Sequence, residues 1–543
     1  MKKLLSLLMA TLLVIVLAAC TANESAGDPE GGDKDSKGGE KAEKKVLNLN
    51  NGDVPTSFDP PKGFDNVSWS SLNNIMEGLL RLNEDDEPEA AMAESWDVSE
   101  DGTVYTFKLK DAKWSNGDPV TAGDFVYAWK RMLNPEAGYP TSFLGYFIKG
   151  AEEYNNGTGS VDDVGVKAVD EKTLEVTLTS PQAYFLNVIT NPCFFPVNEK
   201  VDSENPEWFN EAETFVSNGP FVLKEWDKAS GFTLAKFEDY WDAETVKLDE
   251  VKFAFVNDEN TEYQMFQNGE LDKADVPAEM AEQLYAEGNV TVEDQGGLYF
   301  YRLNVEKEPF QNKNIRKAIA MAINQQELVD YVTKNEEKPA YGFVSYGLKD
   351  AAGNDFRETN GDLVKTNVEE AKKLLEAGMK EEGYTELPEI KLSYSTSPVH
   401  QKLAETVQQM LDENLGVKVA LESMEANVFT EKQKALEFQF SRSSFLLDYA
   451  DPVNALESFQ TGHSMNRTGW SNAKYDELIK SAKAEADEGK RFEMLYEAEK
   501  ILMDEMPIIP IHFYNIPYLL AEGVTGIVYH PVGYLELKWA DKQ

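Results

Sequence analysis

The chain predicts an α/β fold of two or more lobes, on three observations. It has 543 residues, and about 500 of them follow an N-terminal leader and tether, more than one hydrophobic core usually holds. Stretches of period-two alternation and stretches of helical spacing are mixed along that length. No long linker divides the body, so lobes sharing crossing strands are expected rather than separate beads.

The first element is a leader. Lys2 and Lys3 precede an apolar block from Leu4 to Ala19, and Cys20 follows. The block is long enough to engage export machinery but lacks the second flank of a stable spanning helix. Leu17-Ala18-Ala19-Cys20 reads as a lipobox, so residues 1–19 are expected to be a signal peptide and Cys20 the lipidated first residue of the mature chain. An ordinary signal peptide with a chance cysteine is the alternative. Residues 20–45 are rich in Gly, Asp, Glu, Lys and Ser, with no aromatic residue. Such a stretch buries too little apolar surface to order itself, and its expected reach is roughly 25–30 Å. The expected location is therefore extracytoplasmic, on the outer face of a membrane.

The body then alternates. Val46–Asn50 is a first short strand. Tyr105, Phe107 and Leu109, then Leu174, Val176 and Leu178, then Val251, Phe253 and Phe255 mark further half-buried strands. Ile315, Ala318, Ile319, Ala322 and Ile323 lie at helical spacing. So do Val399, Leu403, Val407, Met410 and Leu411. The second set lies between strand-like Ile390–Tyr394 and Val417–Leu421, with Gly416 as helix stop, which makes a strand–helix–strand unit.

Composition narrows the function. The chain is 42% hydrophobic and 11% aromatic, ample for real cores, and carries a net charge of −44. So acidic a surface disfavours nucleic acid, whose phosphates need a basic face. With Cys20 lipidated, Cys193 has no partner, and its run Cys193-Phe194-Phe195 marks it as a small core residue. The four histidines, His400, His463, His512 and His530, show no metal-ligand spacing, and no phosphate loop or nucleophile elbow is present. Neither an enzyme nor a cofactor is expected.

Several motifs fall in a distinctive order. Asp101 through Lys110 is followed by Lys113-Trp114-Ser115-Asn116-Gly117 and Thr121-Ala122-Gly123-Asp124. Asn218-Gly219-Pro220-Phe221 and Phe310 through Asn324 come later. The series resembles the extracellular solute-binding proteins of peptide-type ABC importers, above all their oligopeptide-binding members. The resemblance implies a two-lobed, periplasmic-binding-protein-like fold with a hinge and a ligand between the lobes. It places lobe I at 46–79, 217–297 and 516–543, an extra subdomain at 80–216, and lobe II at 298–515. Gly296-Gly297 is a candidate hinge element, and Pro507 to Pro510 precedes a return crossing. Both could equally be loop or buried-strand residues.

A receptor for diverse peptides must grip what peptides share, the main chain and the two charged ends. The resemblance supplies candidates for each. Arg442 through Pro452 resembles the family's cleft-lining strand and turn. Asp448 stands where the family receives the ligand's ammonium, Tyr449 after it is a further expected ligand contact, and Phe445, Leu446 and Leu447 would offer backbone groups. A capping or turn role for Asp448 is the plain alternative, and Asp451 before Pro452 reads as a turn residue. Arg442, His400 and Lys334 match positions that hold a short peptide's carboxylate. His400 follows Ser395-Thr396-Ser397-Pro398, a helix start that favours an anion and a neutral imidazole. Asn66, Val67 and Ser68 match a backbone-pairing segment of the other lobe. The expected partners are an oligopeptide, and a membrane permease with its ATPases reached by a monomer. A nickel, haem, oligosaccharide or dedicated signalling-peptide ligand stays open, as does a secreted hydrolase, for which no motif speaks.

Overall fold

Period-two alternation becomes strand at each place the sequence marks. The computed structural model describes residues 44–543, which form one compact unit. The leader, the lipobox with Cys20 and nearly all of the tether lie outside the described residues.

Three sheets organise the body. In the first, Val46–Asn50 pairs in parallel with Glu250–Ala254, which continues antiparallel to Gly231–Lys236 and then Phe221–Asp227. Its strands come from both ends of the first half of the chain. The second is wholly antiparallel, in the order Ala93–Val98, Val104–Leu109, Thr173–Thr177, Val166–Asp170. Tyr105, Phe107 and Leu109 are buried on one face, with Leu174 and Val176 from the neighbouring strand. Alternation wins here because one face packs on the core and the other meets water.

The third sheet has six strands, in the order Lys273–Asp275, Ile508–Leu520, Val290–Leu303, Phe440–Leu446, Ile390–Ser395, Val419–Met424. The expected strand–helix–strand unit is present. Ile390–Ser395 runs parallel to Val419–Met424, and the helix Pro398–Leu415 connects them. That helix buries Leu403, Ala404, Val407, Met410 and Leu411, and Gly416 ends it at φ 70°, a left-handed conformation. Val399 departs from the expectation. It is 54% exposed, because it sits in the first turn beside Pro398. The helix at Lys313–Met321 stops two residues early. Ala322 caps it, and Ile323 is buried just beyond its end. Cys193 is a buried free thiol among the core aromatics, as its apolar run predicts.

Val290–Leu303 and Ile508–Leu520 are the long strands of the molecule, at 14 and 13 residues. At one end they pair over Val290–Asp294, beside the short strand Lys273–Asp275. At the other they pair over Leu298–Arg302, beside Phe440–Leu446. Register shifts between Asp294 and Leu298, so ladder pairing lapses around Gln295, Gly296 and Gly297. Neither glycine leaves room for a side chain. A Cβ on Gly297 would lie 2.4 Å from the Phe445 carbonyl oxygen, and one on Gly296 would lie 2.4 Å from Leu447 Cδ1.

Candidate ligand-binding cleft

The strand Phe440–Leu446 has one satisfied edge and one largely empty edge. It pairs antiparallel with Val290–Leu303 along its whole length, from Phe440 opposite Leu303 to Leu446 opposite Gly297. On its other side Ile390–Ser395 meets only Phe440 and Ser441. From Arg442 to Leu446 that side has no strand partner among the described residues.

Hydrogen-bond alternation decides which residues face the empty side. Leu447 N–H donates to the Gly296 carbonyl at 2.8 Å. In an antiparallel ladder such bonded pairs recur at every second residue. Phe445 and Ser443 therefore turn their backbone groups inward, and Arg442, Ser444 and Leu446 turn theirs outward. Gln433 Nε2 donates to the Arg442 carbonyl at 2.7 Å, from the outward side. The expectation that Phe445, Leu446 and Leu447 all offer backbone groups is thus corrected. Leu446 does, Phe445 does not, the Leu447 N–H is taken by Gly296, and Ser444 joins Leu446 on the free side. Leu446 is 46% exposed beside this edge, while the Phe445 ring packs 5.9 Å from that of Phe343.

Asp448 lies just past the strand, and its backbone is pinned. Its N–H donates to Asn454 Oδ1 at 2.8 Å, and its carbonyl accepts from Asn191 Nδ2 at 3.2 Å and from the Tyr534 hydroxyl at 3.4 Å. Among the described residues the carboxylate has one hydrogen-bond contact, Asn454 Nδ2 at 3.5 Å, and no cation pairs with it. Burial pushes its pKa up to about 6, against the pull of the Asn454 contact, and the nearby Glu457 charge adds to the rise. A turn or capping aspartate has its oxygens engaged by the protein. Asp451 is such a residue, accepting from Val453 N–H at 2.8 Å and pairing with Arg491.

Arg442 gathers a second group. It stands opposite Tyr301, on the face that Tyr299 and Ser444 share. Its guanidinium lies over the Tyr299 ring at 5.0 Å. His400 approaches that ring at 5.6 Å, and His512 stacks on it at 5.3 Å. Arg442 Nε and His400 Nδ1 are buried without a hydrogen-bond partner. Burial, then the Arg442 charge, pushes His400 down to about 4. Burial does the same to His512, also to about 4. Both imidazoles are neutral at pH 7, so Arg442 alone supplies positive charge and the rings supply hydrogen-bonding atoms. Tyr299 and His512 carry no motif that sequence reading could use. They meet because the two long strands pair Tyr299 with His512.

Six residues expected to meet the ligand sit in other local settings in the unliganded chain. Lys334 is half-exposed and faces Glu282 at 3.7 Å, outside the group around Arg442. Asn66, Val67 and Ser68 open a helix, Asn66–Ile75, instead of an extended segment. Asp65 is the reason, because its carboxylate caps Ser68 N–H at 2.7 Å and binds the Ser68 hydroxyl at 3.0 Å. Tyr449 is buried, its hydroxyl donates to Glu457 at 2.9 Å, and its ring stacks on Tyr184 at 5.4 Å, so it braces the turn. Leu447 is buried against Gly296 in the same bracing role.

Residues 87–467 match the model of the bacterial extracellular solute-binding proteins, family 5. The dipeptide-binding protein DppE of Bacillus subtilis is 61% identical, over 100% of this chain and 99% of its own length. The oligopeptide-binding protein OppA of the same organism is 40% identical, over 97% of each. Among solved structures, peptide-bound OppA of Listeria monocytogenes gives a TM-score of 0.72 at 33% identity, over 92% of this chain and 99% of that one. The unliganded open form of the murein tripeptide-binding protein MppA gives 0.80 at 30% identity, over 92% and 98%. The matches span the fold from end to end, and the chain belongs to the bacterial extracellular solute-binding proteins of family 5.

Proposed function

We propose that this chain is the extracytoplasmic receptor of a peptide ABC importer, which captures oligopeptides between two lobes and hands them to a membrane permease. One observation carries the reading: Asp448 keeps a half-buried carboxylate without a counter-cation among the described residues, at the end of a strand whose outer edge is free. A peptide brings what is missing, an ammonium group for the carboxylate and a backbone for the edge. Arg442, with neutral His400 and His512, receives the far carboxylate of a short peptide. The lobes follow the bounds 46–79, 217–297 and 516–543 for lobe I, 80–216 for its extra subdomain, and 298–515 for lobe II. The lapse in pairing at Gln295 to Gly297 acts as hinge. The higher TM-score against an unliganded open form than against a peptide-bound relative supports an open arrangement, which ligand contacts to both lobes then close. Cys20 carries the lipid that holds this monomeric receptor at the membrane. No catalytic step belongs to the reading.

The test is calorimetry with Asp448→Ala. Peptides with a free amino end lose about 2–5 kcal/mol of binding, while N-acetylated peptides of the same sequence lose almost none. Equal losses for both would remove Asp448 from the ammonium site.

A further inference from the structure

The chain has eight arginines among 96 acidic residues. Five of them, Arg81, Arg131, Arg316, Arg357 and Arg491, have a carboxylate oxygen within 4 Å. The other three, Arg302, Arg442 and Arg467, have none among the described residues, and all three line one cavity of lobe II. In a protein with a net charge of −44, acidic side chains are available almost everywhere, yet none lies in contact with these three.

The cavity runs along the free edge of the cleft strand, where Ser443 and Ser444 also line it. Arg442 lies on one face of that strand. Arg302, opposite Ser441, lies on the other face, where its Nε donates to Ser443 Oγ at 2.9 Å. One further donor bond holds Arg302, from Nη1 to the Met465 carbonyl at 2.8 Å, and the side chain is buried. Arg467 joins from the loop beyond Met465, touching the Met465 sulfur at 3.6 Å. The acid that acts on it, Glu431, is itself bonded to Lys434 at 2.8 Å. Burial and the Arg467 charge push the Arg302 guanidinium down from its ordinary value. A buried and a half-buried guanidinium have been brought together with no carboxylate in contact with either among the described residues, an arrangement that favours a ligand anion.

We propose that Arg302 and Arg467 form a subsite for an acidic side chain, so that the receptor prefers peptides carrying a carboxylate besides the terminal one. This rests on the peptide reading above. Side chains of an extended peptide alternate between the two faces of the edge strand, so a terminal carboxylate at Arg442 and a neighbouring acidic side chain at Arg302 and Arg467 are geometrically compatible. With its amine at Asp448, an extended chain at about 3.3 Å per residue reaches the arginines at about its second to fourth residue.

Calorimetry on the full protein tests this with Ala-Ala-Ala, Ala-Glu-Ala, Ala-Ala-Glu-Ala and their Gln counterparts. At one of the two positions Glu should bind about tenfold or more tighter than Gln, the scale of one charge-assisted hydrogen bond. In Arg467→Gln and in Arg302→Gln that ratio should fall towards one, and in Arg467→Lys part of it should return. Because Arg302 is buried, its variant counts only if its unfolding transition remains cooperative, and the Arg467 pair decides otherwise. Equal binding of Glu and Gln peptides, with Ala-Ala-Ala bound, would overturn this subsite and leave the peptide reading standing. A Glu preference that survives in Arg467→Gln would also overturn it. Failure to bind any peptide would overturn both.

Discussion

Asp448 titrates near pH 6 in the unliganded chain because its charged form is buried without a partner. Its folded value lies above the ordinary 3.8, so between about 4 and 6 the folded chain holds more protons than the unfolded one. The cost of the charge is therefore full above pH 6 and fades as pH falls towards 4. Asp448→Asn should raise stability at pH 7.5 by up to about 3 kcal/mol, with the gain shrinking to little at pH 4. Urea midpoints of both proteins across that range check it. A ligand ammonium needs the ionised form, so wild-type affinity should fall in the same window. His400 and His512 behave oppositely. Their folded values are lowered, so the stability they contribute is intact above about 6.5 and lost as pH falls towards 4. Asp448 was legible because it sits in a contiguous motif. Arg302 and Arg467 were not, being far apart in sequence and joined only through Met465 and the cleft strand. The scarcity of arginine beside lysine was the available hint.

Among elements, the cleft strand differs most from its sequence reading. Alternation of side chains is written in the sequence, so strands such as Val104–Leu109 and the unit around Pro398–Leu415 could be read directly. Which backbone groups face outward depends on register against Val290–Leu303, a strand well over a hundred residues earlier. No local pattern encodes that. The helix at Asn66 was hidden for a related reason. Asp65 is an ordinary cap, and cap chemistry outweighed the resemblance to an extended segment. Register gives a paired prediction. Leu446→Pro removes an N–H that points to the free edge, where proline is tolerated. It should weaken every peptide by about tenfold and hardly lower the unfolding midpoint. Phe445→Pro removes an inward bond and should lower the midpoint markedly. Thermal unfolding alongside peptide titration separates the two.

For the whole molecule, the long strands Val290–Leu303 and Ile508–Leu520 belong to one six-stranded sheet. With the lobe bounds proposed above they cross between lobes, and the proposed hinge lies at the lapse from Gln295 to Gly297. Gly297→Ala should destabilise the protein by about 1–3 kcal/mol, since its Cβ would meet the Phe445 carbonyl oxygen at 2.4 Å. A fall in denaturation midpoint with unchanged slope is the expected record. The last residues are tied to strands and helices from the first half of the chain. Glu536 accepts from Asn73 at 2.8 Å and pairs with buried Arg81, while Lys542 reaches Asp272 at 2.8 Å and the Val46 carbonyl at 3.0 Å. The Tyr534 hydroxyl, which steadies the Asp448 carbonyl, comes from the same terminal stretch. During synthesis, then, the cargo-holding turn lacks one of its supports until Tyr534 has left the ribosome, although Asp448 itself was made long before.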